Sequence, residues 1–570
     1  MLRELKPREP KLLLVLGLMT AISVTSAQNS TLGPLPTPES SGSAGSVYVS
    51  LDSWIYPAFD RLYALGYADT AFLGLRPWTR LSCLHILEQT SERVELSPDD
   101  SEARRIFAAL TKEFVQEAEA PSLGARIGHA ELDELYSRSL YIAGRPLTDS
   151  AHFGQTIIND YGRPYEEGFN AVDGFIARAE KGRFSLNLRG EYQHAPGRAP
   201  YPISVLDTIA QVDEIPVPPS QSLPVPNTNV FRLLDANASF YLASHEISIG
   251  KSEDWWGPGQ SGAMAWSNNA EPIYAFRINR VEPLYIPLLS KLTGPFRYEA
   301  FLGDLKGWVY PNEPWVQAQK FSFKPTSNLE FGFSRVIIFA GEGHVPLTFG
   351  SFWHSFTSFS NVPISEKLSR NDPGERHSSF DFNWRLPGLE KWVTLYSDSI
   401  VHDDTSPIDA PRRAAINPGI YISHFPTLPH LDLRVEGVST DPPAGTINGG
   451  HFIYWEGQYR DGYTNKGYLL GSWIGREGKG GQAWLTYWPS PKESIQLGYR
   501  NAKVAAGFIP GGTTENNFSL RAVKRIKSDL ALTGFAQYEA WKAPLLAPGE
   551  QRNFTGYVQL AYFPKLRWQR

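Results

Sequence analysis

A single cysteine, Cys83, stands in 570 residues, so no intramolecular disulfide can form. It falls within a helical pattern and reads as a small buried apolar residue. Charge is scarce as well: only 20% of residues are charged, and acidic residues outnumber basic ones 59 to 54. That balance gives no basic footprint for nucleic acid. No run beyond the N-terminal leader approaches about 18 apolar residues, so no transmembrane helix is expected. The patterns G-x-S-x-G, H-E-x-x-H and the P-loop are all missing, and no enzyme, cofactor or metal is expected. His402-Asp403-Asp404 suggests a cation at most weakly and reads as an exposed acidic loop tip.

What the chain has instead is aromatic residues, 13% of the total, with 16 Trp, 26 Tyr and 31 Phe. Mean hydropathy is nevertheless −0.30. A membrane barrel combines these properties, placing aromatics in lipid-facing bands and interfacial girdles around a polar lumen.

Residues 1–27 read as a secretory signal peptide. Arg3, Lys6, Arg8 and Lys11 charge its start, diluted by Glu4 and Glu9; Leu12 to Leu18 is apolar, and Thr25-Ser26-Ala27 is a small-residue cleavage site. Residues 28–46, rich in Ser, Gly, Pro and Thr, read as a flexible linker. Residues 47–124 follow as a small helical domain. Ile55, Phe59 and Leu62 mark a first helix; Thr79 caps a second carrying Leu81, Leu84 and Leu87. Ser97-Pro98-Asp99-Asp100 reads as the capping box of a third, with Ala103, Phe107, Leu110 and Phe114 along its stripe.

From about Leu132 the period changes to two, and residues 125–570 read as a transmembrane β-barrel. Phe184, Leu186, Leu188 and Tyr192 alternate with Ser185, Asn187, Arg189 and Glu191. Leu431, Leu433 and Val435 alternate with Asp432, Arg434 and Glu436 in the same way. One face therefore meets an apolar medium and the other a polar one. The inward charges are mixed in sign and are expected to pair across strands. Short turns such as Glu180 to Arg183 and Ser490 to Glu493 alternate with long loops such as Gln193 to Asn229 and Asp441 to Gly480. The expectation is an all-β barrel of about eighteen antiparallel strands, with both termini on the periplasmic side. Strand parity puts Trp255-Trp256-Gly257 at the extracellular end.

The most informative stretch is Glu253 to Ala270, E-D-W-W-G-P-G-Q-S-G-A-M-A-W-S-N-N-A. It resembles the signature of the Wzi capsule-assembly family. Further pieces of the likeness are His152-Phe153-Gly154-Gln155-Thr156, Gly341-Glu342-Gly343, Ser351-Phe352-Trp353, Phe380-Asp381-Phe382, Arg460-Asp461-Gly462-Tyr463, Gly467-Tyr468 and Leu470-Gly471. The resemblance implies an eighteen-stranded outer-membrane barrel with a periplasmic helical bundle. It also implies a lectin that holds capsular or extracellular polysaccharide at the cell surface. Outer-membrane lipid and other polysaccharide export components are the remaining expected partners. Two features depart from the pattern: the basic tail Pro564 to Arg570 and the long Pro-rich loop.

Sugar binding needs aromatic faces and planar polar groups. Trp255, Trp256, Asn268 and Asn269 form one candidate surface; Trp455, Tyr459, Arg460, Asp461 and Tyr463 form a second. Arg460 is suited to a uronate carboxylate. The competing roles for these residues are loop packing and an interfacial belt. A porin-like channel is the alternative function and requires an open lumen. A glycan-modifying enzyme would need two loop carboxylates within about 5–10 Å of each other; adjacent Glu253 and Asp254 point to opposite faces.

Overall fold

The computed structural model describes residues 44–98, 101–123, 128–217, 219–359, 362–442, 452–564 and 566–569. The leader and most of the linker lie outside the described residues.

Among the described residues four helices come first: α1 (Ile55–Ala64), α2 (Arg80–Glu95), α3 (Glu102–Glu113) and α4 (Val115–Leu123). Thr79 caps α2 as expected, its hydroxyl accepting from the amide of Ser82 at 3.1 Å. The cap of α3 is Ser101 rather than Ser97. Ser97 instead donates back to the carbonyl of Val94 at 2.6 Å and closes α2. Cys83 is fully buried in the helical core with Phe59, Leu62 and Trp78.

A closed antiparallel wall of eighteen strands follows. In chain order these are β1 (His129–Ala143), β2 (Gly168–Lys181), β3 (Phe184–Ala195), β4 (Thr228–Leu242), β5 (His245–Lys251), β6 (Tyr274–Arg280), β7 (Phe296–Asp304), β8 (Trp315–Thr326) and β9 (Leu329–Phe339). They continue as β10 (Glu375–Arg385), β11 (Val393–His402), β12 (Ala415–Ile422), β13 (Leu431–Ser439), β14 (Lys479–Ser490), β15 (Glu493–Val504), β16 (Thr513–Lys527), β17 (Leu530–Lys542) and β18 (Gln551–Tyr562). β18 pairs with β1 from Leu135↔Tyr562 to Ala143↔Phe554, which closes the barrel and leaves no sheet edge for lipid. The basic tail has a place in this closure: after Pro564 the chain resumes as a short strand, Leu566–Gln569, on the base of β1.

The alternation holds along the wall. Phe184, Leu186, Phe231, Ile249, Leu497, Phe518 and Val558 face outward and are exposed to the surrounding medium, whereas Ser185, Asn187, Arg189, Glu191, Asp432 and Glu436 face inward and are buried. The short turns lie at one end, which also receives the helical domain. The long loops lie at the other.

The lumen is filled from both ends, and its charges pair both across strands, as Lys320 with Asp381 and Arg500 with Glu515, and with the filling. From the short-turn end, inward wall residues grip the helical domain. Glu330 accepts from the amides of Leu73 and Gly74 at 2.7 and 3.0 Å. Arg385 bridges to Asp69 at 2.6 Å, and Lys324 donates to the carbonyl of Ala71 at 2.8 Å. Arg189 reaches both Asp52 and Glu253, at 2.8 and 3.0 Å. From the long-loop end, residues 252–273 turn into the barrel because β5 is only seven residues long. Its register with β4 ends at Ala236↔Lys251, halfway along β4. Gly250 makes this exit possible: its φ is +129°, and a Cβ there would lie 2.0 Å from the carbonyl oxygen of Ala236.

Arg277 on β6 shows the energetics of this arrangement. It is buried between Asp254 of the inserted segment, 2.7 Å away, and Glu299 on β7. Removing one partner of a buried ionic group costs about 3–5 kcal/mol, because it strands the remaining charges. Arg277→Ala is therefore expected to lower the unfolding free energy of the detergent-folded barrel by that amount, read from its heat-modifiable gel mobility across a urea series.

Candidate functional site

The inserted segment 252–273 lies between two other long loops. Trp256 is fully buried and packs on Trp266 and Phe301, with ring centroids 6.5 and 5.3 Å away. Trp255 bonds through its backbone to Arg76 of the helical domain in both directions, at 3.0 and 3.1 Å. The two ends of the filling thus meet at the tryptophan pair. This corrects the expectation of an extracellular tryptophan turn: the pair sits inside the lumen. Strand parity gave the direction of β5 but not its early end.

Residues 452–478 of the 440–478 loop cover the same segment. Tyr454 and Tyr463 donate to the carbonyls of Met264 and Ala265 at 2.7 and 2.6 Å. Ser267 donates to the carbonyl of Gly471 at 2.7 Å, and Asn269 to that of Leu469 at 3.2 Å. The 144–167 loop joins it: the amides of Tyr161 and Gly162 donate to the carbonyls of Asn268 and Asn269 at 2.8 and 3.0 Å. Of the sequence candidates, Trp255, Trp256, Asn269, Trp455, Tyr459 and Tyr463 are buried, and Asn268 is half-buried in a polar cavity of about 720 Å³ beside the helical domain. These residues are brought together, but as a core rather than as a surface.

Arg460 and Asp461 reach the outer rim. Asp461 accepts from the amides of Val309 and Tyr310 at 3.0 and 2.7 Å, fastening the 305–314 loop. Lys466 donates its amide to the carbonyl of Lys306 at 2.7 Å, and the indole of Trp308 donates to the carbonyl of Thr464 at 2.8 Å. Arg460 donates to the carbonyl of Glu214 at 2.7 Å, just beyond helix α5 (Ile203–Asp213). The joined loops leave Tyr310 39% exposed. The side chains of Arg460, Lys306 and Lys466 are one-third to two-fifths exposed on the same rim. Sequence reasoning missed Tyr310, because a lone Tyr before Pro in a loop carries no periodic signal.

The carboxylates Glu253 and Asp254 are committed to different arginines, Arg189 and Arg277. Asp403 pairs with Lys367 and Arg376, and Asp404 with Arg413.

A second missed feature lies outside the barrel. Helix α6 (Phe349–Thr357), capped by Thr348 and Ser351, rests on the outward face of β8–β10. Arg335 and Arg376 hold it by donating to Phe356 and Ser358 carbonyls and to the Ser358 hydroxyl. Ile337 and Phe339 face outward yet are buried beneath it, in a cluster with Phe352. Phe349 and Trp353 stack at 6.3 Å and stay exposed, at 79% and 53%.

The loops are locked by His152, which contacts Asp149 at 2.9 Å and Asp213 at 2.7 Å; Arg476 contacts Asp213 at 2.6 Å. Burial pulls the His152 pKa down, but the two carboxylates outweigh it and lift it from the ordinary 6.5 to about 10. Burial raises Asp213, and His152 with Arg476 overcomes this to hold its pKa below the usual carboxylate range. A histidine whose pKa rises on folding adds stability that is complete below its unfolded value. That stability, on the order of 3–5 kcal/mol, is lost as pH climbs from 6.5 to about 10. Protease cleavage of the 144–167 loop is therefore expected to accelerate over that range, and His152→Gln is expected to be cleaved rapidly throughout.

Residues 138–556 match the family model described as capsule assembly protein Wzi. A Klebsiella pneumoniae relative, an uncharacterised 55.8 kDa protein in the cps region, is 28% identical over 161 residues; the match spans 28% of this chain and only 31% of that protein. The solved Escherichia coli Wzi is described as an outer-membrane protein involved in group 1 capsule assembly and a carbohydrate-binding β-barrel. It aligns with 92% of this chain and 100% of its own, at a TM-score of 0.65 and 17% identity, a likeness of fold. Pseudomonas aeruginosa OprD covers 77% of this chain and 94% of its own at a TM-score of 0.41 and 11% identity.

Proposed function

The chain belongs to the Wzi capsule-assembly family, and on that premise we propose that it binds exported capsular or extracellular polysaccharide and helps hold it on the cell surface. The barrel is an outer-membrane protein. In this reading residues 1–27 direct export, residues 28–46 are a linker, and the helical domain lies in the periplasm beneath the barrel, on the side of any export components. The long-loop end then faces outward.

The observation that carries the proposal is the joined rim. A loop pair fixed by six hydrogen bonds, one of them from the Arg460 amide to the Tyr310 carbonyl at 2.9 Å, presents Tyr310 on the rim that also carries Arg460, Lys306 and Lys466. Lys306 pairs with Asp304 and Glu313, and Lys466 with Glu271, so the rim offers a fixed aromatic face among paired polar groups, which suits a pyranose ring and its hydroxyls. The lumen filling weighs against the porin reading, since it occupies the path a solute would take. The buried tryptophans support the surface indirectly, by holding the loops that form it.

Helix α6 is the seat for outer-leaflet lipid in the same reading. Its exposed Phe349 and Trp353 continue the outward aromatic band of Phe321, Phe331, Phe333 and Phe380 toward the long-loop end. An amphipathic helix on the outer wall places such a face at the headgroup boundary.

Two experiments test the proposal. The first is titration of the detergent-folded protein with polysaccharide from its own source. Tyr310→Ala/Arg460→Ala is expected to weaken saturable binding about tenfold or more, with the fold intact. Trp256→Ala is expected to lower stability by about 3–5 kcal/mol while folded molecules still bind. Absence of saturable binding, together with steady conductance in planar bilayers, would replace this reading with the channel. The second is quenching by brominated lipid. Trp353→Phe is expected to remove a quenchable share of the tryptophan emission; an unchanged quenched share would place the helix away from lipid.

A further inference from the structure

Three side chains from two neighbouring strands meet where β10 and β11 reach the long-loop end. Glu375 and His377 stand two residues apart on the inward face of β10. His402 ends β11 directly opposite, in the register pair His377↔His402. Their ligand atoms all lie within 4.8 Å of one another. The two imidazoles stack with centroids 5.0 Å apart and planes 15° apart.

The cluster is sealed. Exposure is 0% for Glu375, 1% for His377 and 8% for His402. Tyr463 covers His377 at 4.6 Å between ring centroids, and Phe452 covers His402 at 6.2 Å. Within this enclosure neither carboxylate oxygen of Glu375, neither ring nitrogen of His377, nor Nε2 of His402 has a hydrogen-bond partner. Glu375 Oε1 and His377 Nε2 are 3.7 Å apart, too far for a hydrogen bond. The neighbouring cations are engaged elsewhere: Lys367 with Asp403 and Glu456, and Arg376 with Asp403. A buried carboxylate and two buried imidazoles without partners are strongly unfavourable. Elsewhere in this lumen Arg277 serves Asp254 and Glu299, Lys320 serves Asp381, and backbone amides serve Glu330 and Glu436.

We propose that Glu375, His377 and His402 bind a divalent transition-metal ion of the zinc class. Two imidazole nitrogens and one carboxylate oxygen form a recognised ligand set for zinc, leaving a fourth position for water. Bonds of about 2.0–2.1 Å in a tetrahedron place ligand atoms about 3.3 Å apart, so small rotations of these side chains bring the cluster to a metal's dimensions. The ion supplies the positive charge that the site lacks. It also stiffens the wall where Tyr463 lands, and so braces the loop that carries Arg460 and Asp461. Spacing along the chain does not reveal the site, because β-pairing across 25 residues creates it.

The test uses untagged full-length protein folded in detergent, stripped with EDTA and titrated with Zn2+ by calorimetry, with bound metal counted by plasma mass spectrometry. Wild type is expected to hold one zinc in a tight class of sites. His377→Asn/His402→Asn and Glu375→Gln are expected to lose that class or weaken it at least tenfold while keeping heat-modifiable mobility. Equal zinc binding by wild type and a folded variant would assign the metal to other histidines and overturn the proposal, as would no tight binding by wild type. If the variants do not fold, X-ray absorption of zinc-loaded wild type decides. A shell with two imidazoles and a carboxylate oxygen is expected, and a shell lacking imidazole scattering overturns the site.

Discussion

Arg277 sits between Asp254 and Glu299 with almost no solvent, and most of the lumen's assembly follows from the same constraint. A sheet closed in lipid turns one face inward, and here that face is lined with ionisable groups. Enclosed charge must be paired or hydrogen-bonded. Glu330, Arg385, Lys324 and Arg189 find partners on the helical domain and its approach, and Glu436 accepts from the amides of Gln260 and Ser261 in the inserted segment. Wall and filling therefore specify each other. The filling supplies amides and carboxylates at the heights where the wall presents charge.

This dependence explains what was legible in the sequence. Two-residue alternation reports only whether a side chain faces lipid or lumen, and for Phe184 to Tyr192 or Leu431 to Glu436 it reported correctly. Helix caps were legible where one residue does the work, as at Thr79. They were not where two serines four apart compete, as at Ser97 and Ser101. The depth of the tryptophan pair was hidden for a different reason. It follows from β5 stopping at Lys251 while β4 continues, a mismatch between neighbours that no single segment displays.

Aromatic abundance was the strongest compositional signal and the least specific one. The chain uses aromatics in at least three environments: outward bands such as Phe321 and Phe333, the lumen core around Trp256 and Tyr463, and the outer helix with Phe349 and Trp353. Only the first has a period that betrays it. The motif pieces that resemble the family, Trp255 to Ala270, His152 to Thr156 and Arg460 to Gly471, meet in space as the packing of the long-loop plug. They identify an architecture, and the surface it presents is made by less patterned neighbours such as Tyr310.

A filled barrel of this kind has a clear physical advantage for a glycan. Each sugar contact is weak and wet, so a mobile loop would lose in ordering entropy much of what it gained on contact. Here that ordering is completed during folding. Asp461 fixes the 305–314 loop, His152 joins the 144–167 loop to the end of α5, and Arg476 fastens Asp213 from the 440–478 loop. The rim residues are held at fixed spacing before any ligand arrives. If the rim is the glycan surface we propose, mutations deep in the lumen and mutations on the rim act on different quantities, the first on whether the surface exists and the second on what it holds.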